Sequence, residues 1–213
     1  MPIQWLFSQP IFFLLWIFAI VITLAMHEFF HAATATYFGD DTAKMQGRLT
    51  LNPLKHLDPV GFLMLVFIGF GWAKPVPVNP YNLRNRRWSM GLIAAAGPFS
   101  NLLGVIIFGL LLKFFDPILG PVNLLIILLY LLVTVNTILM TFNLLPIPPL
   151  DGSNVLFAIL PDKYNQFKMW LSQNGPWVLL GLILADDLLN LGIFNFLFQF
   201  VLRSIGLILN INF

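Results

Sequence analysis

The chain has 213 residues and no cysteine; it is 59% hydrophobic but only 9% charged, with a formal net charge of +2. An average soluble domain is roughly 45–50% apolar and about 25% charged, so this composition leaves too little charge to face water and suits the bilayer as solvent. Disulfides and thiolate metal sites are excluded, and without a block of basic residues no nucleic-acid partner is expected. No charged residue interrupts 11–26, 89–112, 117–150 or 169–185, and a span needs about 20 apolar residues.

In chain order, the first helix is expected from about Gln9 or Pro10 to Phe38, stopping at Gly39-Asp40-Asp41. The first basic residue is Lys44, so the opening apolar run lacks the charged head of a signal peptide and reads as a retained helix. At 1.5 Å per residue it is about 42 Å long against a hydrocarbon core of ~30 Å, which places His27 in the far third of the membrane. A polar stretch over 40–58 follows, in which Arg48-Leu49-Thr50-Leu51-Asn52 carries a weak strand pattern. Residues 60–70 are apolar but too few to cross, which predicts a re-entrant segment. The proline-rich 71–80 then leads to a basic patch of Arg84, Arg86 and Arg87. Spans are expected at 89–112 and 119–145, the latter broken by Pro146, Pro148 and Pro149 just before Asp151-Gly152. After a polar connection at Asp162, Lys163 and Lys168, residues 176–189 and 193–209 read as a closing helical hairpin interrupted by Asp186-Asp187. The expected fold is an all-α polytopic membrane protein: about five transmembrane helices, a re-entrant segment and a short polar loop of β character. It forms a single domain over 1–213, with a core at about 11–160 and the hairpin at about 175–210.

The chemistry is concentrated in His27-Glu28-Phe29-Phe30-His31. Imidazoles at i and i+4 lie side by side on one helical face, where both reach one Zn²⁺ at about 2.0–2.1 Å. The intervening glutamate is placed to take a proton from water. The chain has three histidines and one glutamate, and that glutamate stands between two of them. Ionisable groups inside a spanning helix are costly to insert, and snorkelling to the headgroups suits Lys or Arg better than a His-Glu-His cluster. A catalytic zinc takes three protein ligands and keeps one position open. The third ligand is open between His56 and the carboxylates Asp40, Asp41, Asp58, Asp116, Asp151, Asp162, Asp186 and Asp187. Asp151 stands out because a spanning helix delivers it, prolines fix the local backbone and Gly152 permits close approach.

His27–His31 in one span, paired with Asn143-Leu144-Leu145-Pro146-Ile147-Pro148-Pro149-Leu150-Asp151-Gly152 after another, resembles the site-2 protease family of intramembrane zinc metalloproteases. Residues 71–80 and Ala96-Gly97-Pro98-Phe99-Ser100-Asn101 look like its short prokaryotic members, and the similarity runs from about 11 to 159. The resemblance implies one Zn²⁺ per chain on His27, His31 and Asp151, with Glu28 as catalytic base. It implies that Asn143 holds substrate backbone or a developing oxyanion. Asn101 and Asn136 are read as interhelical packing, and Gly97 as a point of close helix approach. Two departures stand out: Phe30 occupies a position often small in the family, and the chain has no room for a PDZ or CBS domain.

A shared metal puts His31 and Asp151 on one side of the membrane, and seven of the eleven basic residues (Lys44, Arg48, Lys55, Lys74, Arg84, Arg86, Arg87) fall in loops on that side. The positive-inside rule makes it cytoplasmic, in a prokaryotic inner membrane, with the N-terminus outside and the C-terminus inside. The expected function is hydrolysis of peptide bonds within or next to transmembrane segments of substrate proteins. The alternative is a membrane metal-ion transporter or metal-binding protein without protease activity.

Overall fold

The computed structural model describes residues 2–211. Helix α1 (Ile3–Ser8) breaks at Gln9, and α2 (Pro10–Tyr37) opens on a proline, whose missing N–H costs nothing at a helix start. Trp5 packs edge-on against Phe12 and Trp16, so α1 folds back along α2. Gly39 ends that helix with a φ of 105°, a conformation glycine adopts without strain.

The expected strand at Arg48–Asn52 does not form. Helix α3 (Thr42–Met45) and a 3₁₀ turn (Pro53–Lys55) flank it, and among the described residues the one β feature is an isolated antiparallel bridge between Leu57 and Ala73. Side chains take the backbone away from a ladder here: Asn52 N donates to Thr50 Oγ1, and Leu54 N donates to Asn52 Oδ1.

Helix α4 (Pro59–Ile68) is capped by Asp58 and closed by Gly69 at φ 92°. Its ten residues reach about 15 Å, half of a bilayer core. The chain returns along its own outward path. A β-carbon at Gly61 would overlap the Trp72 carbonyl, and one at Gly71 would overlap that of Gly61. Lys74 N donates to His56 O at 2.8 Å and closes the excursion.

Helices α5 (Arg86–Leu119), α6 (Leu124–Asn143) and α2 form the central bundle, with Ala19, Leu131 and Leu132 in its core. Helix α7 (Asp151–Ile159) lies along the first turns of α5, where a β-carbon at Gly91 would press on Ala158. Arg87 donates to the carbonyls of Ala158, Ile159 and Leu160 at 2.8, 3.2 and 2.7 Å, satisfying the acceptors that a helix end leaves open.

Among the described residues the five expected spans are not found: three helices are long and apolar enough to cross (α2, α5 and α6), or up to four if α8 (Asn165–Leu188) and α9 (Ile193–Leu209) count as one broken span. These two meet at 91° instead of doubling back as a hairpin. Asp186 makes the corner by accepting from Ile193 N and Phe194 N at the start of α9, the role of a helix cap. Helix α8 also starts eleven residues before Pro176 and includes Gln166, Lys168, Gln173 and Asn174, which the apolar run from Pro176 conceals. Helix α9 runs antiparallel to α6, with Phe194 against Phe142 at one end and Ile211 against Leu112, Ile126 and Leu129 at the other. Asn210 and Ile211 share a cavity wall with Phe12. The last described residues thus lie beside the start of α2, on the face away from the histidines and not on the histidine side expected for the C-terminus.

Asp40 pins the loop after α2. Its carboxylate is fully buried and accepts from Thr42 N and Oγ1, from Asn82 Nδ2 at 2.8 Å and from Asn79 N at 2.7 Å. Burial alone would raise its pKa, but these donors outweigh it and hold the group below the usual carboxylate value of 3.8. A depressed carboxylate stabilises the fold at pH values above its unfolded-state pKa, and the contribution is lost as pH falls through the folded-state value. Asp40→Ala should lower stability by roughly 1.5–3 kcal/mol at pH 7, the range for hydrogen bonds to a charged group. Unfolding in detergent should show the gap between variant and wild type closing in strong acid.

Candidate metal centre

Thr23, His27 and His31 occupy successive turns of α2 and are all buried. Ile93, Gly97 and Asn101 occupy successive turns of α5, facing them. A β-carbon at Gly97 would overlap both imidazoles, so the hydrogen side chain there is a steric requirement. Asp151 arrives from the other side, at the first position of α7. The turn that delivers it is tight: a β-carbon at Gly152 would overlap the Leu144 carbonyl.

The three groups converge. His27 Nε2 lies 3.0 Å from His31 Nε2, and Asp151 Oδ2 lies 3.1 Å from the first and 3.2 Å from the second. His56, the rival third ligand, points elsewhere: its Nε2 lies 2.8 Å from Thr50 O. Several of the other aspartates also have separate duties. Asp58 caps α4, Asp162 pairs with Arg87 and Lys168, and Asp186 caps α9. Among the described residues, His27, His31 and Asp151 form the one group of three or more potential ligands close enough to share an ion.

Hydrogen bonding fixes which ring nitrogen carries each proton. His31 Nδ1 sits 2.7 Å from the Ile93 carbonyl, which can only accept. Asn136 Nδ2 donates to Leu132 O and to Thr23 Oγ1, which orients that amide so that its Oδ1 accepts from Asn101 Nδ2 at 3.1 Å. Asn101 Oδ1 is therefore the atom 2.7 Å from His27 Nδ1. In its neutral form each imidazole therefore carries its proton on Nδ1, which leaves both Nε2 lone pairs free for a metal. Two imidazole nitrogens and a carboxylate oxygen converging this closely suit a shared cation. Ligands 2.0–2.1 Å from a tetrahedral Zn²⁺ are about 3.3–3.4 Å apart; the observed triangle is close to that, and the fourth corner is free. The residues fit the metal.

Asn101 and Asn136 do more than the packing read from the sequence: the first orients a ligand, and the second orients the first. The spacing Ile93-Gly97-Asn101 carries this signal, but only once the histidines are known to lie opposite it.

His27, His31 and Asp151 line a cavity of about 550 Å³ together with Glu28, Leu24, Asn143, Asn154, Met90 and parts of the segment Trp72–Val78. Glu28 follows His27 directly and is buried, with no hydrogen-bond partner among the described residues. Asn143, which lines the cavity, donates through Nδ2 to Leu139 O in its own helix at 3.1 Å.

A buried metal centre of two histidines and a carboxylate among membrane helices defines a membrane metalloenzyme of the His-Glu-x-x-His class. The sequence profile of peptidase family M50 matches residues 115–182. YwhC of Bacillus subtilis (strain 168) is 40% identical over 150 residues, spanning 68% of this chain and 68% of its own length. Rip2 of Mycolicibacterium smegmatis is 36% identical over 163 residues, 68% of this chain and 56% of its own. MJ0611 of Methanocaldococcus jannaschii is 29% identical over 197 residues, 89% and 88%. Each of the three is named as a candidate zinc metalloprotease. No solved structure matches the chain. The chain belongs to peptidase family M50, the zinc metalloproteases of site-2 type.

Asn101→Ala should leave the fold intact and weaken zinc binding by about 10–100-fold, the usual effect of removing an outer partner of a metal-bound histidine. Competitive chelator titration with metal analysis checks this.

Proposed function

We propose that the chain is a zinc-dependent intramembrane endopeptidase acting on transmembrane segments of substrate proteins, with residues 1–213 forming one catalytic domain. The observation that carries this reading is the convergence of three metal-ligand atoms beside Glu28 at the wall of a cavity. His27, His31 and Asp151 hold the metal. Zn²⁺, when bound, supplies Lewis acidity to polarise a carbonyl and lowers the pKa of water to near 7.

The chain's own residues supply the rest. Glu28 takes a proton from the attacking water and passes it to the leaving amine. Asn143, with one amide hydrogen tied to Leu139, offers its carbonyl to a substrate N–H and its second hydrogen to substrate oxygen. A helical substrate hides its carbonyls in hydrogen bonds and must unwind before cleavage. The segment Trp72–Val78 borders the cavity and suits capture of an unwound stretch by strand pairing. Helix α4, too short to cross and tied at both ends, is the re-entrant element that carries this segment to the depth of the metal.

The transporter reading is disfavoured. Behind the histidines the polar chain Asn101-Asn136-Thr23 is fully hydrogen-bonded and runs into the apolar core at Ala19 and Leu132. It offers an ion no onward ligands.

Lys163 and Lys168 join the seven basic residues on the histidine side, since α7 descends to Arg87, which makes nine of eleven. That side is cytoplasmic by the positive-inside rule. The membrane is a prokaryotic inner membrane.

Glu28→Gln should retain one zinc per chain and lose cleavage of single-span membrane peptides by about 10²–10⁴-fold; undiminished cleavage removes Glu28 from the mechanism. The chain has no cysteine, so topology can be read by labelling. Cysteines at Ser8 and Asn210 should react with an impermeant maleimide from the same outer face, and one at Gln46 from the inner face.

A further inference from the structure

Residues 74–79 are held by other parts of the chain at three points. Arg48 is 5% exposed, and its Nη2 donates to Lys74 O and, at 3.3 Å, to Pro75 O. His56 is 1% exposed and accepts Lys74 N through its main-chain carbonyl. Asp40 accepts Asn79 N at 2.7 Å. Between these pins the main chain makes few commitments. The amides of Val76 and Val78 have no hydrogen-bond partner among the described residues, and Pro75 and Pro77 have no amide hydrogen to offer. In an extended chain, residues two apart share one edge. Val76 and Val78 both line the cavity with His27, Glu28 and Asp151, while Pro77 does not.

Burying an arginine to contact two successive carbonyls is a demanding way to fasten a surface loop. Its Nε is itself buried without a partner. Both contacts come from the one Nη2 nitrogen, whose two in-plane hydrogens fix the two acceptors relative to each other, where an ammonium's hydrogens rotate freely. We propose that Arg48 is a positioning residue for substrate: it takes up the Lys74 and Pro75 carbonyls and thereby turns the unpaired edge at Val76–Val78 into the active-site cavity. The inference rests on the strand-capture reading of this segment and adds to it the residue that sets the strand's orientation. Arg48 touches neither metal ligand nor catalytic base, so its loss acts on substrate binding and leaves the chemical step in place.

The test is steady-state cleavage of a detergent-solubilised single-span peptide by the full-length zinc-loaded protein, with zinc content measured on each variant. R48A should raise KM about tenfold with kcat within about threefold, a loss of binding shared by ground and transition states, and with one zinc retained. R48K should recover part of the loss, since an ammonium can reach one of the two carbonyls. V76P deletes one edge amide without touching Arg48 and should raise KM as well. An unchanged KM in V76P overturns strand capture itself, and the inference with it. A raised KM in V76P alongside wild-type KM in R48A, at full zinc occupancy, overturns the role of Arg48 alone. A fall in kcat with KM unchanged in R48A also overturns it. If R48A does not accumulate, R48K serves: a KM about threefold above wild type supports the inference, and a wild-type KM overturns it.

Discussion

Two imidazole nitrogens and a carboxylate oxygen meet 3.0–3.2 Å apart, inside a protein surrounded by lipid. In a low-dielectric interior such an arrangement needs a positive charge among the three groups, a metal cation or a proton, and most of the notable packing in this chain serves to hold it. Gly97 clears the volume beside both rings, Gly152 lets the turn after α6 close on itself, and Arg87 anchors the far end of the helix that begins with Asp151. The protons on His27 and His31 are directed away from the centre by Asn101 and by the Ile93 carbonyl. The ligand set is thus preorganised before the cation arrives.

The molecule divides its labour between two kinds of scaffold. On the metal side, α2, α5, α6 and α7 are regular helices in close contact, and their buried polar atoms form a chain that ends at Thr23. On the cavity side, the wall is irregular backbone hung on Arg48, His56 and Asp40. Irregular backbone at membrane depth is tolerated only where protein or a water-filled cavity satisfies it. The cavity of about 550 Å³ gives this segment such a setting. The arrangement keeps the ligand geometry independent of whatever occupies the cavity.

Much of the site was legible in the sequence because its parts are chemically scarce. A lone glutamate between two of three histidines admits few interpretations, and the proline-rich approach to Asp151 singles out one carboxylate among eight aspartates. The long spans were legible for the same reason: charge-free runs have one solvent to suit them. Polar residues that serve other residues were not. Asn101, Asn136 and Arg48 look like glue or surface until the helix opposite each is known, because their roles depend on contacts 26 to 113 positions away. The end of the chain misled for a different reason. Apolar stretches at 176–189 and 193–209 predict a hairpin, but the carboxylate of Asp186 turns the corner between them into a right angle, and hydropathy carries no trace of a capping bond.

Position 97 closes off a route that most surface positions leave open to drift. Any side chain there would displace the rings that hold the cation, whatever the protein is required to cut. Lineages that change their preferred target are free to vary the wall at Val76–Val78 or the exposed parts of α8, but that one backbone position has no latitude to vary with them. In a set of related chains it would mark common chemistry, while the cavity wall would record diet.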